Sequence, residues 1–66
     1  MKNNIKIQRA MADMTQAELA EKIAVSRQTI NAMEAGKYVP STVLALKIAR
    51  AFKKRVEEIF ELEPSD

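Results

Sequence analysis

The sequence contains no cysteine, no histidine and no tryptophan, and its 66 residues include only one glycine and two prolines. Without cysteine there is no disulfide framework. Without either Cys or His, the common zinc-ligand sets and the nucleophile and base pairs of hydrolytic enzymes cannot be assembled, so an enzyme is not expected. Asp and Glu remain as the only metal-binding side chains. The acidic set Glu57, Glu58, Glu61 and Glu63 has no spacing that fixes a cation's geometry, so no metal and no other cofactor is expected. No apolar run approaches the roughly 18 residues needed to span a bilayer. The opening "MKNNIKIQ" lacks the hydrophobic stretch of a secretory leader, so the chain is expected to be cytoplasmic, with no membrane partner. The scarcity of glycine, proline and strand-favouring runs predicts an almost entirely helical fold.

A chain of this length is expected to form one domain, residues 1–66, near the lower size at which an unstapled core suffices for folding. The net charge of +2 conceals an asymmetry. All eleven Lys and Arg lie in residues 1 to 55, against Asp13, Glu18, Glu21 and Glu34, so this body carries +7. The tail "VEEIFELEPSD" holds five acids and no base. A basic body attracts polyanions, although such a balance alone favours nucleic acid only slightly.

Helix boundaries are marked by capping residues. Asn3 or Asn4 can start a first helix running to about Ala12, with Ile7, Ala10 and Met11 on one face. Thr15 is followed three residues later by Glu18, the spacing of a capping box, and Leu19, Ala20 and Ile23 form the apolar stripe of this second helix. Ser26 caps a third helix that ends at Gly36, the residue best able to take a left-handed terminal conformation. Pro40 and Ser41 announce a fourth, "TVLALKIARAF". Its wide apolar arc leaves only Val43, Lys47 and Arg50 on the solvent side, which predicts the most buried helix. After "KKR", the segment "VEEIF" can add one short turn. Residues 61 to 64, Glu-Leu-Glu-Pro, alternate polar and apolar and suggest a short edge strand that Pro64 stops.

The third helix has an unusual distribution of side chains. At 100° per residue, Thr29, Ile30, Met33 and Glu34 fall on one side, and Arg27, Gln28, Asn31, Ala32 and Ala35 on the other. Two helices capped at Thr15 and Ser26, joined by a short link and with small Ala20 at their approach, have the organisation of a helix-turn-helix spanning about residues 15–36.

The ordered segments "TQAELAEKI", "VSRQTINAMEAGKYVPS", "ALKIARAF" and "EEIF" resemble the XRE family of helix-turn-helix regulators, the Cro and phage-repressor type, over nearly the whole chain. The resemblance implies an all-α, five-helix lambda-repressor-like domain that binds double-stranded DNA and regulates transcription, most simply as a repressor. It implies that Arg27, Gln28, Asn31 and Ala32 meet base edges in the major groove, where Arg can pair with guanine, Gln with adenine, and Ala can approach a thymine methyl. Gln16, Ser26, Thr29, Lys37, Tyr38 and Ser41 are the corresponding contacts to the DNA backbone. Arg9 and Glu34 match positions that pair across the core.

Several positions depart from the usual family pattern. Asp13 and Ala24 stand where Gly is common, Gln8 where Leu is common, and Lys53 to Arg55 replace a Gly, an apolar residue and a capping Ser or Pro. Small relatives add an N-terminal strand and pair through their C-terminal ends. This implies that Met1 to Asn4 ladder against Glu61 to Pro64 as a short antiparallel pair and that the chain is a homodimer on a palindromic operator, with Ile59, Phe60 and Leu62 as surplus apolar residues for the interface. No small-molecule ligand is expected. The alternative is an antitoxin-like module that binds a toxin protein and autoregulates its own promoter.

Overall fold

Each of the three central helices begins on a hydroxyl that accepts a backbone N–H of its own first turn. In the computed structural model, which describes all 66 residues, a short strand β1 (Lys2–Asn3) precedes α1 (Ile5–Met11), α2 (Gln16–Ile23), α3 (Arg27–Glu34), α4 (Thr42–Phe52) and α5 (Val56–Ile59), and β2 (Phe60–Glu61) follows. Thr15, Ser26 and Ser41 cap α2, α3 and α4, accepting from the backbone of Glu18, Thr29 and Leu44. At α2 the box is complete, because the Glu18 carboxylate also accepts from the Thr15 N–H at 2.8 Å. Those bonds hold the Glu18 pKa below its ordinary 4.5, the contribution of the Thr15 backbone being the largest.

Helix ends follow a second recurring pattern. After α1, α2, α3 and α4 the chain turns through a residue of positive φ: Asp13 at 53°, Ala24 at 59°, Gly36 at 75° and Lys53 at 55°. Each is followed by a backbone bond reaching five residues back, Met14 to Arg9, Val25 to Ala20, Lys37 to Ala32 and Lys54 to Ala49, at 2.9 to 3.0 Å. This is the Schellman closure, which satisfies the last free carbonyls of a helix. Only one of the four turns uses glycine. Ala24 and Lys53 therefore carry a left-handed backbone that costs an L-residue about 1–2 kcal/mol.

The core draws its fully buried residues from every major helix: Ile5 of α1, Leu19 of α2, Ile30 and Met33 of α3, and Ile48 of α4. Burying one such side chain stabilises the fold by about 1.5–3 kcal/mol. Met14 and Val25, each just ahead of a capped helix, pack against this cluster, as hydrophobic staples do. β1 and β2 pair antiparallel with Lys2 opposite Glu61 and Asn3 opposite Phe60. The ladder is thus shorter than the sequence suggests and begins at Phe60.

Three expectations about packing are corrected. On α1 the buried residues are Ile5 and Gln8, whereas Ile7 is 60% and Met11 68% exposed, and Ala10 is exposed too. The rotation follows from anchors at both ends of the helix. The Asn3 side chain accepts from the Ile5 N–H at 3.1 Å, the Asn4 N–H donates to the Ile59 carbonyl at 3.0 Å, and Arg9 points inward at Glu34. On α4, Leu46 joins Val43 on the exposed side. Finally, Ile59 and Phe60 are 2% and 7% exposed and belong to the protomer's own core, so of the three residues expected at an interface only Leu62, 76% exposed, remains on the surface. The one-turn α5 and the strand that follows carry Ile59 and Phe60 back under α4 and β1, which closes the bottom of a core too small to spare them.

Candidate nucleic-acid interface

The first turn of α2 and the outward face of α3 meet along one surface. Ile30 and Met33 face the core on α3, and this fixes the rotation of the helix so that Arg27, Gln28 and Asn31 project into solvent. Ala32 is half-buried and lies at the margin between the two faces. Gln16, Arg27, Gln28 and Asn31 together line a shallow depression of about 260 Å³ that contains no apolar residue. Every group in it is a hydrogen-bonding side chain, and Arg27 is the single charge.

A wider depression adjoins it, about 650 Å³, lined among others by Thr15, Gln16, Ala17 and Arg27. The backbone N–H groups of Gln16 and Ala17, the first two residues of α2, have no partner within the helix. Free N–H groups at a helix start beside an exposed guanidinium make a site suited to an anion such as phosphate.

Behind this surface runs a hydrogen-bonded chain that ties three helices together. Arg9 of α1 donates through Nε and Nη2 to the Glu34 carboxylate of α3, and through Nη1 to the Met14 carbonyl at 3.0 Å. Gln16 of α2 donates through Nε2 to Glu34 Oε1 at 3.0 Å and to Asn31 Oδ1 at 3.4 Å. Burial works against the Glu34 carboxylate, but the Arg9 and Gln16 hydrogen bonds outweigh it and hold its pKa below the ordinary 4.5. The hydrogen bond to Glu34 in turn raises the Arg9 pKa. Glu34 stays ionised and accepts from both sides, so Gln16 and Asn31 are held in place before any ligand arrives. The link from the ion pair through Gln16 to Asn31 is invisible in the sequence, where nothing local joins Gln16 to residues of another helix.

The remaining sequence-predicted residues are distributed around this surface. Ser26 and Thr29 share a hydroxyl contact of 2.9 Å, and the Ser26 oxygen also caps α3, so both hydroxyls already have partners in the protein. Lys37 and Tyr38 are exposed on the loop after α3, and Ser41 is exposed at the start of α4. None of the three lines the depression occupied by Arg27, Gln28 and Asn31.

A protein-family model described as helix-turn-helix matches residues 5–59. The chain belongs to the helix-turn-helix family. Its relatives include an uncharacterised helix-turn-helix-type transcriptional regulator of Methanocaldococcus jannaschii, 52% identical over 66 residues and covering 100% of both chains. The uncharacterised regulator YgzD of Bacillus subtilis is 49% identical over 63 residues, 96% of each chain. A regulator of Archaeoglobus fulgidus is 52% identical over 60 residues, 91% of this chain and 84% of its own. Five helices with a short two-stranded antiparallel sheet are consistent with such a helix-turn-helix domain, with α2 and α3 as the motif.

Proposed function

We propose that the protein is a sequence-specific double-stranded DNA-binding regulator of transcription, that α3 enters the major groove, and that it acts as a repressor by occupying a palindromic operator as a homodimer. The observation that carries this reading is the polar end of α3. Arg27, Gln28 and Asn31 converge on one face with Gln16, on a rigid helix, without an apolar anchor among them. A face built to bind another protein would be richer in apolar anchors. Arg27 can donate two hydrogen bonds to guanine O6 and N7, and Gln28 can pair with the N6 and N7 edge of adenine, while Asn31 reaches a base or phosphate one turn later. Gln16, Ser26, Thr29, Lys37, Tyr38 and Ser41 surround that face and serve the backbone. The names of the relatives, helix-turn-helix-type transcriptional regulators, support the same reading.

Pairing is supported by physical need. A single module buries too little surface for tight binding, and two-fold symmetry sets half-sites about 34 Å apart. With Ile59 and Phe60 taken by the core, the exposed apolar residues free to anchor the pair are Ile7, Met11, Val39, Val43, Leu46 and Leu62. Occupancy alone then blocks polymerase, with no second activity required.

Selection of bound duplexes from a random pool tests the reading. The expected result is an enriched palindrome. A pool that stays random through successive rounds contradicts it.

A further inference from the structure

Most of the free basic charge lies away from the recognition face. Arg27 is the one cation on the polar end of α3, Lys37 follows in the loop, and Arg9 is neutralised by Glu34. By contrast, Lys22, Lys47, Arg50 and Lys53 converge on a separate groove of about 450 Å³ between the last turns of α2 and α4, with Ile23 and Ala51 among its apolar residues and no carboxylate among those that line it. None of the four takes part in a salt bridge. The groove shares no residue with the depression on α3. Lys22 lies about 9 Å of helix rise from Gln16, at the opposite end of α2.

Cations in the last turn of a helix have a local explanation, since they complement the helix dipole, and Lys22 and Arg50 hold such positions. That explanation reaches only so far. Each helix end carries about half a negative charge, so two ends against four cations leave about +3. Glu18 and Glu21, which share a neighbouring depression with Lys22, offset part of that one cation alone and leave Lys47, Arg50 and Lys53 uncompensated. Lys47 lies in the middle of α4, outside its last turn. A concave site of one sign with an apolar floor focuses its field outward. The mutual repulsion of four unpaired cations is relieved best by a ligand that brings several negative charges at once.

We propose that this groove is a second phosphate-binding site, which takes clustered phosphate groups carried either by the backbone of a further duplex segment or by a soluble polyphosphate. Arg50 supplies a fork that matches two phosphate oxygens, and the three lysines act as point charges around it. The site goes beyond the DNA-reading function and is separable from it.

The test is a residue-resolved nuclear magnetic resonance titration of the full chain with two probes: sodium tripolyphosphate added to the free protein, and a short random-sequence duplex added to protein already saturated with its selected operator. At least one probe is expected to shift the amides of Lys22, Lys47, Arg50 and Lys53. Its affinity should fall about tenfold or more in Lys47→Glu/Arg50→Glu, and less than about threefold in the charge-matched pair Lys2→Glu/Lys6→Glu. All four substituted side chains are exposed, and thermal unfolding verifies that both variants fold. A response to tripolyphosphate alone assigns the groove to soluble phosphates, and a response to the duplex assigns it to DNA. Silence at the groove with both probes, or equal weakening by the two charge variants, overturns the proposal. If no operator is found, the regulatory reading has failed, and the tripolyphosphate titration still decides the groove.

Discussion

Arg9 and Glu34, twenty-five residues apart, are joined at two points, with Arg9 Nη2 at 3.1 Å from Glu34 Oε1 and Nε on the other carboxylate oxygen. Both side chains are largely buried, 14% and 8% exposed. The pair fixes α1 against α3, and through Gln16 it also holds the first turn of α2. Gln16, at the edge of the depression on α3, is therefore held by an ion pair that lies behind it.

Removing one partner leaves a buried charge unpaired, which costs about 3–5 kcal/mol, a large part of the 5–15 kcal/mol that holds a typical domain together. Glu34→Ala is expected to lower the unfolding midpoint sharply, whereas the double replacement Arg9→Met/Glu34→Leu should recover most of the loss. Denaturant titrations of the three chains measure this, and equal stability of the single and double variants would refute the assignment. The pH dependence has a definite sign. The folded pKa of Glu34 lies below the ordinary 4.5, so its contribution is full above that value and is lost as pH falls through the folded pKa. The double variant should lack this acid sensitivity.

The four left-handed turns give a clean pair of opposite substitutions. Ala24→Gly removes a strain of about 1–2 kcal/mol but adds unfolded-chain entropy worth about 0.4–1 kcal/mol, so a net stabilisation of about 0.5–1 kcal/mol is expected. Gly36→Ala should destabilise by a similar amount, with backbone strain as the cause, because a Cβ at Gly36 would meet nothing within 4 Å. Thermal unfolding distinguishes these directions, and a loss of stability in Ala24→Gly would contradict the turn geometry.

The chain ends are clasped together. The Met1 ammonium lies 3.1 Å from Glu63 Oε1 and 3.1 Å from Asp66 Oδ2, and Asp66 also accepts from the Glu63 N–H at 2.8 Å. The hydrogen bond to Asp66 is the leading cause that raises the ammonium pKa above 8.0, while the bond from the Glu63 backbone leads in holding Asp66 below 3.8. The contact between Met1 and Asp66 therefore weakens as pH rises through the raised ammonium pKa and as it falls through the lowered Asp66 pKa, and its contribution is full between pH 3.8 and 8.0. Amide exchange at Lys2 and Glu61 should quicken outside that window relative to the core. N-terminal acetylation should produce the same change at pH 7. Unaltered protection after acetylation would show that the clasp contributes nothing to the β1 and β2 pair.

The role proposed for Lys37 is a phosphate contact made through charge alone. Lys37→Ala is expected to weaken every duplex alike and to reduce the slope of log affinity against log salt by about 0.9, the value for one phosphate contact. A change confined to one base position would contradict that role.

Much of the fold is legible in short-range patterns. Thr15 with Glu18, Ser26 before Arg27, and Ser41 after Pro40 act within one turn of their own helix, so spacing alone identifies them. Ala24 draws attention only through the resemblance, which places Gly there, and its φ of 59° gives the reason. The misreadings concern choices made between elements. Ile5 and Ile7 both fit an apolar stripe on α1, and only the Arg9 ion pair and the Asn4 bond to Ile59 decide which one turns inward. Ile59 and Phe60 look surplus until α5 and β2 are seen folding them under α4. The outward polar end of α3 was legible because Ile30 and Met33, three residues apart, fix its rotation. The bond from Gln16 to Asn31 was not, because nothing local links residues on different helices.

The account rests on Arg27 reading a base from the start of α3. The most direct measurement is the affinity of the wild type and Arg27→Ala for the selected operator and for its variants with each base pair substituted at every position. The account predicts that Arg27→Ala loses about 1–3 kcal/mol of discrimination at one symmetric pair of positions, with preferences elsewhere retained. If Arg27→Ala instead weakens all sequences equally, or leaves every preference unchanged, α3 does not read DNA through Arg27 and the central claim fails.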